Sequence, residues 1–482
     1  MKRLFYILMS VAAIFSSCSD DDSFSTSRND LLSFGCDTLS LDTLFSTIPT
    51  RTYGFWAYNR SSDGIRVSQV RLEHGNQTGF RVNVDGIYLD NTTGSQAQDI
   101  EVRKGDSIRV FVELTSPING NDVPQLVEDN LSFRLESGVE QKVNLRAWSW
   151  DAILYDSLIV DKNTTLSSVK PIVVRRGIRV DSTATLKIIS PATIYFGGSA
   201  GIDVYGRLTI EGAPGSDVVM RGDRLDNMFD YLPYDRVSGQ WRGIHLFGSS
   251  SYNTFKYLDL HSATDALVCD SAEVTDMQML ILDNVSIHNC KGYGLAASNC
   301  SLTIRNTLIS NTLADCLSLY NTKANVVYST FAQFYPFDAN RGMAVRLMGG
   351  EASFANTLVT GYNDDVFLTD SLDFSFDHSI VRTVIEDTVI VAEKFPSSLL
   401  ETPKDSVQGD MHFRLIDIDN LVYDFRLDSL STAIGKALPR AGMSVDRDGN
   451  PRSPVSPSIG CYEWIAPEQS AAAYIRAVRR RR

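Results

Sequence analysis

Hydrophobic and polar residues alternate along much of the segment 31–152, which predicts β-strands with one buried and one solvated face. Turn residues, such as Asp63-Gly64 and Asp85-Gly86, separate the alternating stretches. Alternating strands joined by short turns are typical of an antiparallel β-sandwich. The apolar positions that carry this alternation most clearly are Phe80, Val82, Val84, Ile108, Val110, Val112, Leu114, Val143, Leu145 and Ala147.

A different pattern follows, in which short apolar stretches return at intervals of about 22 residues. Self-similarity at a fixed period predicts a solenoid, and short strands with this spacing predict a parallel β-helix. A single coil cannot bury its own apolar face, so the core forms only when coils stack. When aligned on Val285, Thr307, Thr330, Thr357 and Ser379, the repeats are separated by 22, 23, 27 and 22 residues.

One column of this alignment contains asparagine three times, at Asn284, Asn306 and Asn356. We expect these residues to stack at one turn of successive coils as a ladder of side-chain amides. His378 falls in the same column, which favours a structural role for it.

Composition and charge restrict the functions open to the chain. Of its 482 residues, 45 are Lys or Arg and 58 are Asp or Glu, which gives a formal net charge of −13. An acidic chain lacks the basic face that general nucleic-acid binding needs, so no nucleic-acid partner is expected. A hydrophobic content of 43% excludes a mainly disordered chain. Seven Cys are too few for a disulfide framework in a chain of this length.

The first residues have the pattern of a secretory signal. Lys2 and Arg3 precede an apolar run, 4–15, of 12 residues, which is shorter than the roughly 20 residues of a spanning helix. The stretch Phe15-Ser16-Ser17-Cys18 resembles a bacterial lipobox, although Leu is usual where Phe15 stands. The resemblance implies a signal peptide at 1–17 and lipidation of Cys18. The alternative is an unmodified, buried Cys18.

The residues after Cys18 form an acidic tether, predicted at 18–30, that contains Asp20, Asp21 and Asp22. An acidic cluster in this place resembles the surface-export signal of Bacteroidetes lipoproteins. The resemblance implies a protein held in the outer membrane by a lipid anchor, with its folded part facing outward.

The repeat region, 153–465, resembles the right-handed parallel β-helix family, to which pectate lyases belong. The segment 185–212 is similar to its opening coils, and 423–427 with 446–452 and 459–463 is similar to the closing segment of secreted bacterial members. The segment 56–67 resembles an immunoglobulin-like module, which the sequence predicts for 31–152. The predicted fold class is therefore all-β, with an N-terminal β-sandwich followed by a right-handed parallel β-helix. The family includes lyases, hydrolases, adhesins and stalks, so the fold does not define the function.

Catalytic and metal-binding motifs are sparse in the repeats. Asn363-Asp364-Asp365 is similar to part of a polygalacturonase site, but Gly-His-Gly and Arg-Ile-Lys segments are absent. No catalytic residue and no cofactor are predicted. His261 and His288 occupy equivalent positions of consecutive repeats, which would place them about 4.8 Å apart. Two imidazoles can share a metal ion, but the sequence indicates no third ligand, so no metal site is predicted.

Two insertions, 223–240 and 334–341, interrupt the repeats and should leave the same edge of the β-helix. We expect them to bound a groove in which aromatic rings stack on sugars or on a peptide. The alternative is that these rings fold the insertions onto the β-helix, with Trp241 in the core. The candidate ligand-binding residues are Phe229, Tyr231, Tyr234, Trp241, Tyr335 and Phe337.

Together these features favour a surface lipoprotein that binds a polysaccharide or a surface protein without catalysis. A β-helix polysaccharide lyase or glycoside hydrolase is the alternative, and a purely structural stalk is the next. Acidic and basic side chains converging in a groove would favour an enzyme, whereas aromatic rings alone would favour a binder. The basic tail, 466–482, contains five Arg after Pro467 and is expected either to contact anionic glycan or lipid or to form a solvated end.

Overall fold

The computed structural model describes residues 23–229, 231–274, 277–370, 372–403 and 409–466. The chain divides into two compact units, Met1–Asp151 and Ala152–Arg482. The predicted fold class is confirmed, because the first unit contains two mainly antiparallel sheets and the second a parallel β-helix. Cys18 and residues 467–482 of the predicted tail lie outside the described residues. Within the described ranges, no helix has the length and apolar character that crossing a membrane requires.

The first unit is a sandwich of two five-stranded sheets. The strands pair antiparallel, except that Thr38–Phe45 runs parallel to Glu140–Trp150. The apolar positions that alternate in the sequence point inward, and residues of both sheets, such as Val110 and Leu145, share one buried cluster. In spatial order the sheets contain Leu32–Phe34, Tyr53–Asn59, Ser107–Leu114, Phe80–Val84 and Ile87–Tyr88, and then Thr38–Phe45, Glu140–Trp150, Gln125–Leu135, Ile65–Leu72 and Gln96–Val102, with a 3₁₀ turn at Asn91–Thr93.

The second unit winds 25 strands into coils with three faces. Strands of successive coils pair in parallel, as Ile172–Val174 does with Thr193–Phe196. Four long strands bend at a corner and contribute to two faces: Asn253–His261, Gln278–Cys290, Leu317–Val327 and Val345–Ala355.

The remaining strands belong to a single face each. The first face contains Ile153–Tyr155, Ile172–Val174, Thr193–Phe196, Val218–Gly222, Leu308–Thr312, Thr330–Gln333, Leu358–Gly361, Ile380–Arg382 and Leu399–Glu401. The second contains Leu158–Val160, Ile178–Val180, Ile202–Val204, Ile244–Leu246, Leu267–Cys269, Leu295–Ser298 and Val366–Leu368. The third contains Thr164–Leu166, Thr185–Ile189, Arg207–Glu211, Ser301–Arg305 and Leu372–Asp377.

The corner before the first face has a left-handed backbone in successive coils. Positive φ angles occur at Asn284, Asn306 and Asn356, and asparagine tolerates this conformation better than most residues. Tyr328, with φ of 48°, holds the same corner in the coil between them. Leu308 therefore pairs with Thr330, and the repeat spacings in the structure are 22, 22, 28 and 22 residues. The alignment was off by one residue there because it matched Thr330 with Thr307 and so placed Ser329 at the corner instead of Tyr328.

The predicted amide ladder forms only in part. Asn306 Nδ2 lies 3.4 Å from Asn284 Oδ1, but both amides bind the C-terminal segment at shorter distances. Asn284 Nδ2 donates to the Asp446 carbonyl at 2.6 Å, and Asn356 Nδ2 donates to the Leu438 carbonyl at 2.8 Å. The column thus uses its amides to hold the end of the chain, whose carbonyls would otherwise lack partners.

The C-terminal segment covers part of the outer side of the first face. Its hairpin, Phe413–Asp417 and Val422–Leu427, packs Phe413, Phe425 and Leu427 against outward residues such as Leu308 and Leu358. Asp387 caps the N-terminus of the helix Thr388–Lys394, because its side chain accepts hydrogen bonds from the N–H groups of Val389 and Ile390. The other short elements are the strands Asn227–Phe229 and Leu232–Pro233 and the 3₁₀ turns Tyr234–Arg236 and Gly409–His412.

Candidate functional site

A cavity of about 410 Å³ opens between the first face and the C-terminal hairpin. We call it the cleft. Its lining comes from three parts of the second unit: outward residues of the coils, the end of the first insertion and one side of the hairpin. These residues include Asp259, His261, Ser286, His288 and Ser310 from the coils, Asp235 and Arg236 from the insertion, and Tyr423, Asp424 and Arg426 from the hairpin.

Three side chains meet in the cleft because of strand geometry. Residues i and i+2 of a strand share a face, and Leu258 and Leu260 point into the core, so Asp259 and His261 point outward. His288 lies beside His261 in the parallel register of the next coil. The two imidazoles stack with ring centroids 4.8 Å apart, as the repeat alignment predicted. We call these three residues the His–Asp cluster.

One carboxylate oxygen connects the cluster. Asp259 Oδ1 lies 2.9 Å from His261 Nδ1 and 3.1 Å from His288 Nε2. Burial favours the neutral form of Asp259, but the two imidazoles outweigh it and hold the pKa of Asp259 well below its usual range. Burial lowers the pKa of His261, and the Asp259 carboxylate opposes this effect. Among the described residues, none hydrogen-bonds to His261 Nε2 or His288 Nδ1, so each ring keeps one nitrogen for another partner.

The rim of the cleft combines cations and carboxylates. Arg426 pairs with Asp424 at 3.1 Å and with Asp448 at 2.7 Å. Arg236 differs, because its Nη1 donates to the Asn420 carbonyl at 3.1 Å and no described carboxylate lies within ion-pair distance of it. A guanidinium held by a main-chain oxygen alone retains donors for a ligand.

Four residues that line the cleft have buried polar atoms that lack hydrogen-bond partners within the described part of the chain. These atoms are Asp235 Oδ1, Ser310 Oγ, Asn311 Oδ1 and Tyr423 Oη. Ser310 follows His288 in the same column of the first face. Buried polar atoms of native proteins nearly always have a hydrogen-bond partner, so these four atoms support a polar molecule as the occupant of the cleft.

Two of the six predicted ligand-binding residues are buried. Trp241 has no exposed surface, stacks on Phe196 at 4.3 Å and donates through Nε1 to the His261 carbonyl at 2.8 Å. The expectation that Trp241 contacts a ligand is therefore corrected, because its indole fills the core instead. Tyr335 is only 6% exposed, and its hydroxyl lies 3.3 Å from Ser238 Oγ, which joins the two insertions.

The other four predicted residues retain more surface. Phe229 and Tyr231 stack on each other and are exposed, but they do not line the cleft. Tyr234 lies under the Arg224 guanidinium at 3.8 Å and is half-buried. Phe337 is exposed and, with Tyr335, lines a small recess that shares Arg236, Asn311 and Tyr423 with the cleft.

Sequence reasoning missed Asp259 and the hairpin wall. Asp259 had a detectable signal, because it stands two residues before His261 in a strand and must share its face. The resemblance placed 423–427 in the closing segment, but no pattern indicated which coils this segment covers, because the coil residues of the cleft lie more than a hundred positions away. The carboxylate pair considered earlier lies elsewhere, since neither Asp364 nor Asp365 lines the cleft and Asp365 is buried.

A second histidine arrangement is closed to solvent. His412 lies 3.0 Å from Ser431 Oγ through Nδ1 and 3.0 Å from Glu401 Oε1 through Nε2. The order of groups matches a catalytic triad, but all three residues are buried. These three residues therefore help to hold the C-terminal segment in its packed position.

The His–Asp cluster also has the composition of a metal site. Each of its three residues offers one ligand atom, and these atoms all lie within 4.8 Å of one another. The described residues contain no other such group of three or more.

No protein-family model matches the chain. No curated protein matches it either. One solved structure with weak similarity is a family 123 glycoside hydrolase from Clostridium perfringens, studied for glycolipid glycan hydrolysis. It is 7% identical with a TM-score of 0.17, and the match covers 24% of this chain and 25% of that one. The chain thus spans about a quarter of that structure, and a similarity of this size carries no argument about function.

Proposed function

We propose that the chain is a polysaccharide-binding protein and that the cleft is its glycan site. The observation that carries this proposal is the convergence of Arg236, the His–Asp cluster and the hairpin around one cavity of about 410 Å³. Such a volume lies within the range of ordinary ligand pockets. Sugar hydroxyls both donate and accept hydrogen bonds, so they suit a lining that offers guanidinium, imidazole, carboxylate and amide groups together.

Aromatic side chains support the same assignment. Tyr423, Phe425 and Tyr462 contribute to the cleft lining, and tyrosine offers both a stacking face and a hydroxyl. The predicted groove between the insertions is replaced in this proposal by the cleft under the hairpin. Phe337 extends the aromatic surface next to it through the shared recess.

Glycan cleavage is the second candidate, and the His–Asp cluster favours it. A carboxylate that orients an imidazole, with the other ring nitrogen free, is the usual composition of a general base. A lyase needs such a base, and a hydrolase needs a proton donor and a proton acceptor around the scissile bond. By the criterion drawn from the sequence, the acidic and basic groups of the cleft favour this second candidate, whereas its aromatic rings favour binding.

We further propose that lipidation of Cys18 anchors the protein in a bacterial outer membrane and that the sandwich unit acts as a spacer. The signal pattern at 1–17 and the acidic tether support this location. Radiolabelled palmitate should be incorporated into the wild type and not into Cys18→Ala. Labelling of both proteins alike would contradict lipidation at this residue.

Retention of the purified protein on a panel of polysaccharides tests the function. The panel should pair neutral polymers with uronate-containing ones, and the length of each polymer should be measured afterwards. A polymer retained intact identifies a binder, and a polymer shortened identifies an enzyme. Failure to retain or cut any polymer would overturn both and favour a protein partner or a structural stalk.

A matched pair of variants locates the site. Arg236→Gln removes the guanidinium from the cleft, whereas Arg207→Gln removes one that also donates to a main-chain oxygen, that of Ser251, away from the cleft. Charged hydrogen bonds contribute enough that Arg236→Gln should weaken glycan binding about tenfold or more. Arg207→Gln should bind as the wild type does. Equal effects of the two changes would place the glycan elsewhere.

A further inference from the structure

The His–Asp cluster brings three possible metal ligands within a short distance of one another. Asp259 Oδ1 lies 2.9 Å from His261 Nδ1 and 3.1 Å from His288 Nε2, and one ligand atom of each residue lies within 4.8 Å of the other two. Ligand atoms around a tetrahedral zinc ion, with bonds of about 2.0–2.1 Å, lie about 3.3 Å apart. Two of the three separations are close to this value, so an ion could replace the two hydrogen bonds.

We propose that Asp259, His261 and His288 bind one divalent transition-metal ion of the zinc class, with an open coordination position facing the cleft. Two imidazoles and one carboxylate are a set that zinc, iron, nickel and copper ions accept. Calcium is a poor fit, because it takes six to eight oxygen ligands and this site offers one carboxylate. Three protein ligands leave a fourth position for water or a substrate oxygen, as in catalytic rather than structural zinc sites.

The surrounding structure holds these ligands in place. His261 and His288 lie in paired strands of adjacent coils, so their backbones have a fixed parallel register. Trp241 Nε1 binds the His261 carbonyl, and the amide of Ser262 donates to the His288 carbonyl at 3.2 Å. Ligands held by rigid strands and packed neighbours have the preorganisation that a metal site requires.

The column of the first face provides a further neighbour for the open position. Ser310 pairs with His288 in the next coil, and its buried Oγ has no described hydrogen-bond partner. A hydroxyl in this place can hydrogen-bond to a water or a substrate oxygen on the metal, in the manner of the outer groups that support known metal sites. The orphaned hydroxyl is thus an independent indication that a polar ligand belongs beside the two imidazoles.

The experiment uses the purified protein, freed of metal by a chelator, and adds Zn²⁺ or Co²⁺ alone. Calorimetry with Zn²⁺ should give one site per chain, and Co²⁺ should develop the visible absorption of a four-coordinate ion with nitrogen ligands. Asp259→Asn and His288→Gln should each weaken Zn²⁺ binding about 100-fold or more, since losing an outer partner alone costs 10- to 100-fold. Circular dichroism confirms that each variant is folded.

His245→Gln is the matched control. His245 Nε2 lies 2.9 Å from Asp270 Oδ1 in a His–carboxylate pair that no third ligand of the described chain completes, so this variant should bind Zn²⁺ as the wild type does. Absence of Zn²⁺ binding by the folded wild type would overturn the proposal. Unchanged affinity in folded Asp259→Asn and His288→Gln would also overturn it. Neither result depends on a polysaccharide, so this proposal and the glycan proposal fail separately.

Discussion

The indole Nε1 of Trp241 donates a hydrogen bond of 2.8 Å to the main-chain oxygen of His261. This contact joins the core of the β-helix to the cleft, because the other side of Trp241 stacks on Phe196 with an interplanar angle of 7°. A residue that the sequence placed in the ligand site instead positions the strand that carries the site.

Substitution of Trp241 should separate its packing from its hydrogen bond. Trp241→Ala removes the largest fully buried side chain of the described residues and should lower the free energy of unfolding by about 3–5 kcal/mol. Trp241→Phe keeps an aromatic ring against Phe196 and loses the donor, so part of that cost, including about 1–2 kcal/mol for the orphaned carbonyl, should remain. Urea denaturation measures both values. Equal losses would show that the stack contributes nothing beyond the hydrogen bond.

Two buried serines should respond differently when each is replaced by alanine. Ser310 Oγ has no partner in the described chain, whereas Ser329 Oγ donates to the Val327 carbonyl and accepts from the amide of Thr307. Both residues have no exposed surface. Ser329→Ala should therefore lower the free energy of unfolding by about 1–2 kcal/mol, and Ser310→Ala should leave it unchanged or raise it.

Chemical denaturation in metal-free buffer checks this pair. A loss for Ser310→Ala as large as that for Ser329→Ala would mean that Ser310 Oγ already contributes a hydrogen bond to the folded state. That result would remove one reason for assigning a polar ligand to the cleft.

The parts of the fold that could be predicted are those that follow from a regular spacing of apolar residues or repeats. Alternation gave the inward positions of the sandwich, and the repeat spacing gave the pairing of His261 with His288. These features need only neighbouring residues and a constant step, so one chain is enough to detect them. Tyr328 shows the limit of this reasoning, because only the folded chain reveals that a tyrosine adopts the left-handed corner.

The cleft could not be predicted from the sequence, because it depends on contacts between residues that are far apart in the chain. Asn284 binds the Asp446 carbonyl 162 residues away, and Arg447 reaches back to Asp217 over 230 residues. No local pattern specifies such pairings, and a hairpin without a repeat partner can pack on any exposed apolar face. The aromatic insertions gave a stronger local signal, which explains why the groove was predicted between them and not under the hairpin.

The buried pair of His412 and Glu401 should be a major contributor to the stability of the C-terminal segment. His412→Asn removes the ring that contacts both Glu401 oxygens and Ser431, which leaves a buried acid without its partner. The free energy of unfolding should fall by about 3–5 kcal/mol. His378→Asn is the comparison, because His378 pairs with Asp377 at a partly exposed site and asparagine tolerates its positive φ.

Thermal and urea unfolding should show a loss of about 1 kcal/mol or less for His378→Asn, as is usual for ion pairs near solvent. Similar losses in the two variants would contradict the assignment of the buried pair as structural. A small loss of unfolding free energy for His412→Asn, with no loss for His378→Asn, would also contradict it.

Because of Asp365, we expect the folded protein to become less stable as the pH rises. Burial raises the pKa of Asp365 to about 8, although the positive charges of Arg382 and Arg341 lower it, and Oδ2 accepts no hydrogen bond within the described chain. An unfolded aspartate has a pKa of about 3.9. Between these values the folded protein holds one proton more than the unfolded chain, so this group reduces stability progressively from about pH 4 to about pH 8.

Asp365→Asn should remove this dependence, because the amide resembles the neutral acid and does not titrate. Urea denaturation at a series of pH values should show the variant gaining on the wild type by up to about 1.4 kcal/mol per pH unit through that window, with no further gain above about pH 8. Asp364→Asn removes an exposed charge that helps to raise the pKa of Asp365 but leaves the buried acid in place, so this variant should still lose stability as the pH rises. A curve for Asp365→Asn parallel to that of the wild type would mean that Asp365 is already ionised at low pH, with its charge balanced by Arg382.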